Sequence, residues 1–210
     1  MSNLRTIYKM DTTIKYIDDV WTELTFAEAK QLDRYHKVIV DNNDNKYIET
    51  YIGEKLSGTT YYVKSENEIA EYLEINPDVS FNLTYKVRNY SVEEQLSYRD
   101  AKLSFKRVFI YDISDNLICL QNYDVKTGLP EYPGPDKSYY DESGTHIYEF
   151  VYNKDGSCFS IDRVQIIDTD AEFLASEIGV NPGVDFTWAG FEYYKNAEPL
   201  IPFASDNEKL

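Results

Sequence analysis

Two stretches of the chain repeat one order of apolar and polar positions at an offset of 105 residues. Ile69, Ala70, Leu73, Ile75, Asn76, Pro77, Val79 and Phe81 fall opposite Leu174, Ala175, Ile178, Val180, Asn181, Pro182, Val184 and Phe186. In each copy apolar residues first recur at helical spacing, Ile69 with Leu73 and Leu174 with Ile178, which predicts a helix. Ser65-x-x-Glu68 and Thr169-x-x-Glu172 have the spacing of a capping box, in which hydroxyl and carboxylate satisfy each other's exposed amides. Asn-Pro then ends each helix, because proline drives the residue before it out of the helical region. An alternating strand follows: Val79, Phe81, Leu83, Tyr85 and Val87, then Val184, Phe186, Trp188 and Gly190.

A hairpin precedes each predicted helix. The first runs from Val38 through the turn Asp41–Asn45 to Ile52. The second runs from Tyr148 through Asn153-Lys-Asp-Gly156 to Ile167. Asp-Gly is a strong hairpin signal, and Asn and Asp tolerate left-handed backbone. At the head of each half, Leu4–Asp11 lines up with Phe105–Asp112. Each half therefore reads as strand, variable insert, hairpin, helix, strand. The first insert predicts a short helix from Thr25, with Glu28 completing a capping box. The second, Lys126–Ser143, is rich in Pro and Gly and reads as a loop.

The fold class that follows is α+β: two diverged repeats, each an antiparallel sheet with one helix packed on it. The two sheets could also merge into one. The expected boundaries are 1–90 for the first repeat, 91–104 for a linker or short helix, 105–195 for the second repeat and 196–210 for a tail.

Composition narrows the function. The chain has 210 residues and a formal net charge of −16. Such a charge disfavours nucleic-acid binding and anionic membrane surfaces, and it attracts basic proteins. The charge is uneven: residues 1–105 hold 18 acids and 13 bases, whereas residues 106–210 hold 19 acids and 8 bases. The 20 Tyr suit half-buried sheet faces and also recognition surfaces. Met1–Asp19 mixes charges without an apolar stretch, so no secretory signal is expected, and a cytoplasmic location follows. Cys119 and Cys158 lie in apolar runs and read as buried thiols.

No catalytic motif emerges. Gly-x-Ser-x-Gly, His-Glu-x-x-His and phosphate-binding glycine loops are absent from the sequence. His36 and His146 occupy matched places before the two hairpins and read as structural positions. Asp41-x-Asn43-x-Asn45 begins like a calcium loop but has Lys46 and Ile52 where glycine and a bidentate Glu are required. Neither cofactor nor metal is expected.

What remains is acids interleaved with aromatics in and beside the Pro-rich insert: Glu131, Tyr132, Asp136, Tyr139, Tyr140, Asp141 and Glu142. Tyr buries large area at low entropic cost, and carboxylates around it pair with Lys or Arg. The sequence thus predicts a non-enzymatic binding protein for a basic partner, in concrete form a bacterial immunity protein that occludes a toxin or effector. The alternative is an enzyme or binding module for a carbohydrate or other polar small molecule, with Trp21 and Trp188 to stack sugars. A nucleic-acid mimic ranks third.

Overall fold

The structure, a computed structural model, describes residues 12–17, 20–41, 44–132, 134–164 and 172–202. Strands dominate them. β1 (Thr12–Ile17), β2 (Glu23–Leu24), β3 (Arg34–Asp41), β4 (Asp44–Ile52), β5 (Lys55–Val63) and β6 (Ser80–Val87) come first. β7 (Tyr90–Arg99), β8 (Lys102–Tyr111), β9 (Leu117–Tyr123) and β10 (Asp136–Tyr140) follow. β11 (His146–Tyr152), β12 (Cys158–Arg163) and β13 (Glu172–Leu174) complete the set. The α-helices among the described residues are α1 (Phe26–Ala29) and α2 (Glu66–Leu73). Hydrogen bonding orders the strands β13-β12-β11-β10-β9-β8-β7-β6-β5-β4-β3-β1-β2 in one 13-stranded sheet.

This overturns the expected α+β architecture of two helix-packed repeats. The first copy folds as its pattern predicts: Ser65 caps α2 by accepting from the Glu68 amide, and β6 follows. The second does not. Phe173, inside the predicted helix, instead pairs opposite Ile161 and is buried, so strand pairing overrides helical spacing. Only a 3-10 turn, Ala175–Glu177, follows, and Gly179 at φ 76° leaves the helical region. Val184, Phe186 and Trp188 lie outside any strand and pack as a plug on the core. Thr169 and the Leu4–Asp11 match lie outside the described residues. What does repeat is the turn. Asn76 accepts from the Asp78 amide and Asn181 from the Gly183 amide, the same local Asx geometry.

Residues 91–104, expected as a linker or short helix, lie largely in β7 and β8. Val92 and Leu96 are its buried anchors, separated by polar residues that disguise the strand. Asp100 and Ala101, both at positive φ (51° and 56°), make the mirror-image two-residue turn that joins tight hairpins.

The chain divides into two compact units: Met1–Thr84 with Gln95–Ser104, and Tyr85–Glu94 with Phe105–Leu210. In the first, β3 and β4 form the expected hairpin, and Thr25 and Glu28 form the expected capping box on α1. β5 and β6 run parallel, which requires a crossover, and α2 supplies it. Val63, Ile69, Val79, Phe81, Leu83 and Leu96 form its larger core cluster.

The second unit is a succession of antiparallel pairs from β8 to β13. One row of directly opposed residues crosses all six strands: Ile110, Cys119, Lys137, Phe150, Ile161 and Phe173. All six are buried. The 172–202 segment covers this face with Phe186, Tyr193, Ala197 and their neighbours.

Candidate protein-binding face

Side chains alternate between the two faces of a strand, so the residues next to the buried row point the other way. There Ser138 on β10 opposes Glu149 on β11, Glu149 opposes Asp162 on β12, and Asp162 opposes Glu172 on β13. Three carboxylates therefore stand on three successive strands, about 5 Å apart from one strand to the next. Like charges directly opposed across a strand pair destabilise a sheet.

The row is graded from sheltered to open. Ser138 is buried and its hydroxyl donates to Glu149 Oε2 at 3.0 Å. His146 Nε2 lies 3.0 Å from the same oxygen, and the His146 ring stacks on Tyr140 at 4.8 Å. Partial burial pushes the Glu149 carboxyl up, against the pull of Ser138 and His146. Asp162 is pushed up by partial burial and then by the charge of Glu172. Its Oδ1 is buried without a hydrogen-bond partner. Glu172 is exposed at the edge of the row. Among the described residues, no Lys or Arg forms an ion pair with any of the three.

The structure distributes the seven residues singled out from the sequence. Glu131 and Tyr132 lie on the exposed β9–β10 connection, held by the Glu131 amide donating to the Asn122 carbonyl at 2.9 Å. Asp141 and Glu142 occupy the β10–β11 turn at the other end of β10. Asp141 Oδ1 accepts from the Ser143 hydroxyl and the Ser143 and Thr145 amides. Those bonds hold its carboxyl below the usual range, the hydroxyl most of all. Tyr139 packs edge-on against Phe191 at 4.9 Å, and Tyr140 covers His146, so both are half-buried in the unit's own packing. Asp136 opens β10 opposite Leu120, and partial burial raises its carboxyl.

Sequence reading passed over Glu149, Asp162 and Glu172 as the centre of a site. A signal is present in part: Tyr148–Glu149 is a further acid beside an aromatic, close to the insert, but apposition with Asp162 and Glu172 needs the strand register.

Other groups fall as follows. Cys119 and Cys158 are buried free thiols, each pushed up to about 12 by burial. Trp188 packs on Phe150 and Phe186, while Trp21 is exposed in the other unit. The turn at Asp41–Asn45 lies partly outside the described residues. Among the described residues no group of three or more His, Cys, Asp and Glu side chains is arranged to hold a metal. No helix among them is long and apolar enough to cross a membrane.

Fold and face together define a sheet protein whose second unit carries an apolar, covered face and an acidic one. No protein family, curated protein or solved structure matches the chain.

Proposed function

We propose that this chain is a binding protein for a basic protein, and that the Glu149–Asp162–Glu172 row receives the partner's Lys or Arg side chains. Its concrete form is a cytosolic immunity protein that occludes the basic cleft of a bacterial toxin or effector. The observation that carries the reading is the row itself. The free protein keeps opposed carboxylates, one with an unpartnered buried oxygen, where a cation would relieve the repulsion. The charge around it supports this: of the 8 bases in residues 106–210, Lys137 is wholly buried and Lys106 is paired with Glu94.

Affinity capture from the native cells, with wild type and with an Asp162→Lys/Glu172→Lys double variant, tests the reading. Mass spectrometry identifies the partner, and calorimetry of the purified pair follows at low and high salt. The expected result is a basic protein whose association slows with salt and whose binding is lost in the double variant. An acidic partner, or a complex indifferent to the charge reversal, overturns it.

The raised carboxyls favour one second reading, an acid–base enzyme on a polar small molecule. Turnover of a panel of chromogenic glycosides, abolished by Glu149→Gln, would select it over the first.

A further inference from the structure

Lys137 is the least expected residue of the buried row, at 0% exposure. An ammonium has three donors, and here each finds a backbone carbonyl. Nζ donates to Tyr193 O at 3.1 Å, Asn196 O at 2.9 Å and Pro199 O at 2.8 Å. The three acceptors recur at every third residue, so one short segment curls around one point. The Tyr193 ring lies 3.7 Å from Nζ and the Tyr152 ring 5.7 Å away. The titratable groups acting on it are Cys119 from β9, Cys158 from β12 and Glu198 from the segment itself. Among the described residues none forms an ion pair with it.

Packing rather than backbone bonding holds the rest of the segment. Beyond the 3-10 turn Glu192–Tyr194 it has no regular structure. Two backbone bonds join it to the β11–β12 hairpin: Cys158 N to Lys195 O and Ala197 N to Gly156 O. Tyr152 adds a side-chain bond to Tyr194 O at 3.0 Å, and the Tyr194 hydroxyl donates to Ser138 O at 3.4 Å. Yet it touches both core clusters of its unit, through Phe191 and Tyr194 on one and Leu200 and Ile201 on the other.

We propose that residues 191–201 form a strap that opens and closes as a unit over the aromatic core, with the Lys137 amine in its carbonyl cage as a latch that tightens when the amine is neutral and no charge has to be held out of water. A segment with few backbone bonds and one desolvated charge at its seat opens ahead of the ladder beneath it. The latch carries a pH signature whose sign is set by burial. Closed, Lys137 gives up its proton at about 8; open, at the ordinary 10.5. The open state therefore binds more protons between these values, and raising pH closes the strap. From pH 7 to pH 9 the opening equilibrium falls about tenfold through Lys137.

Hydrogen exchange of the full chain at pH 7 and pH 9, normalised for intrinsic rates, tests this in wild type and in Lys137→Met. The amides of Ala197 and Cys158 are expected to exchange ahead of the β11–β12 ladder. Their protection should gain about tenfold from pH 7 to pH 9 over the change seen in Lys137→Met. If these amides exchange together with the ladder at both pH values, or if Lys137→Met shows the same gain, the latch is refuted. Should Lys137→Met fail to fold, acetic anhydride labelling of wild type replaces it. Lys137 is then expected to label at least tenfold more slowly than exposed Lys154, in step with strap exchange; equal labelling overturns the proposal.

Discussion

One cross-strand row in each unit uses the same geometry for opposite electrostatic ends. In the first, Lys37 on β3 stands directly opposite Glu49 on β4, with Nζ 2.8 Å from Oε2 and the Tyr51 hydroxyl on the same oxygen. The hydrogen bond to Glu49 holds the Lys37 ammonium above its usual range. Lys15 pairs with Glu23 and Lys30 with Glu54 in the same unit. In the second unit, Glu149, Asp162 and Glu172 face one another, and the cation on β10, Lys137, is turned to the opposite face and buried. The second unit does pair Lys106 with Glu94, at 2.6 Å, but among the described residues no Lys or Arg pairs with the Glu149–Asp162–Glu172 row. Opposed carboxylates cost the free protein stability that the Lys37–Glu49 pairing does not.

The largest expected effect lies in the buried row that supports the acidic one. Phe150 is wholly buried under Tyr194, Phe191 and Trp188. Phe150→Ala should cost about 4 kcal/mol, read from the urea midpoint. Phe81→Ala, equally buried in the first unit, should cost a similar amount, so that the two cores compare as equals while the two surfaces do not.

Next comes Lys137. A lysine whose proton leaves at about 8 in the folded chain and at 10.5 in the unfolded one makes stability rise with pH between those values. Relative to Lys137→Met, wild type should gain about 2 kcal/mol from pH 7 to pH 9.5, measured by denaturant titration at each pH. Comparison with the variant removes the opposite contribution of Cys119 and Cys158, whose raised thiols favour the folded chain less as pH climbs past 9.

A smaller effect separates the rows directly. Asp162→Asn should stabilise the free protein by about 0.5 kcal/mol, because it removes both like-charge appositions of the row, with Glu149 and with Glu172. The folded Asp162 keeps its proton to higher pH than the unfolded chain does. Wild type therefore gains stability as pH falls through that raised value, and the Asn variant lacks the gain. Thermal melts at pH 7 and pH 5 read both. The mirror experiment is the smallest: Glu49→Gln should cost roughly 0.5 kcal/mol, less in high salt. Opposite signs for these two substitutions would sharpen the contrast between the units; equal signs would break it.

Much of the local structure was legible in the sequence. The capping box at Thr25 begins α1, Ser65 caps α2 without the reciprocal half of its box, and Asn153–Gly156 makes the β11–β12 turn, with Gly156 at φ 87°. These depend on contacts within four residues, whose chemistry is written along the chain. The helix expected from Leu174 to Ile178 failed because Phe173 found Ile161, a partner far away in sequence. Residues 91–104 read as a linker or short helix for a related reason: two apolar residues four apart declare a strand only once neighbours on both sides are known.

The candidate face divides in the same way. The sequence by itself determined that the second half is acidic, that its acids lie among tyrosines, and where its turns fall. Which carboxylates meet was decided by tertiary structure alone. Glu149, Asp162 and Glu172 become neighbours through the register of three strands, and shifting one strand by a single residue would send its acid to the opposite face. Lys137 illustrates the same limit from within: a lysine reads as surface, until three carbonyls from residues 193–199 close around it.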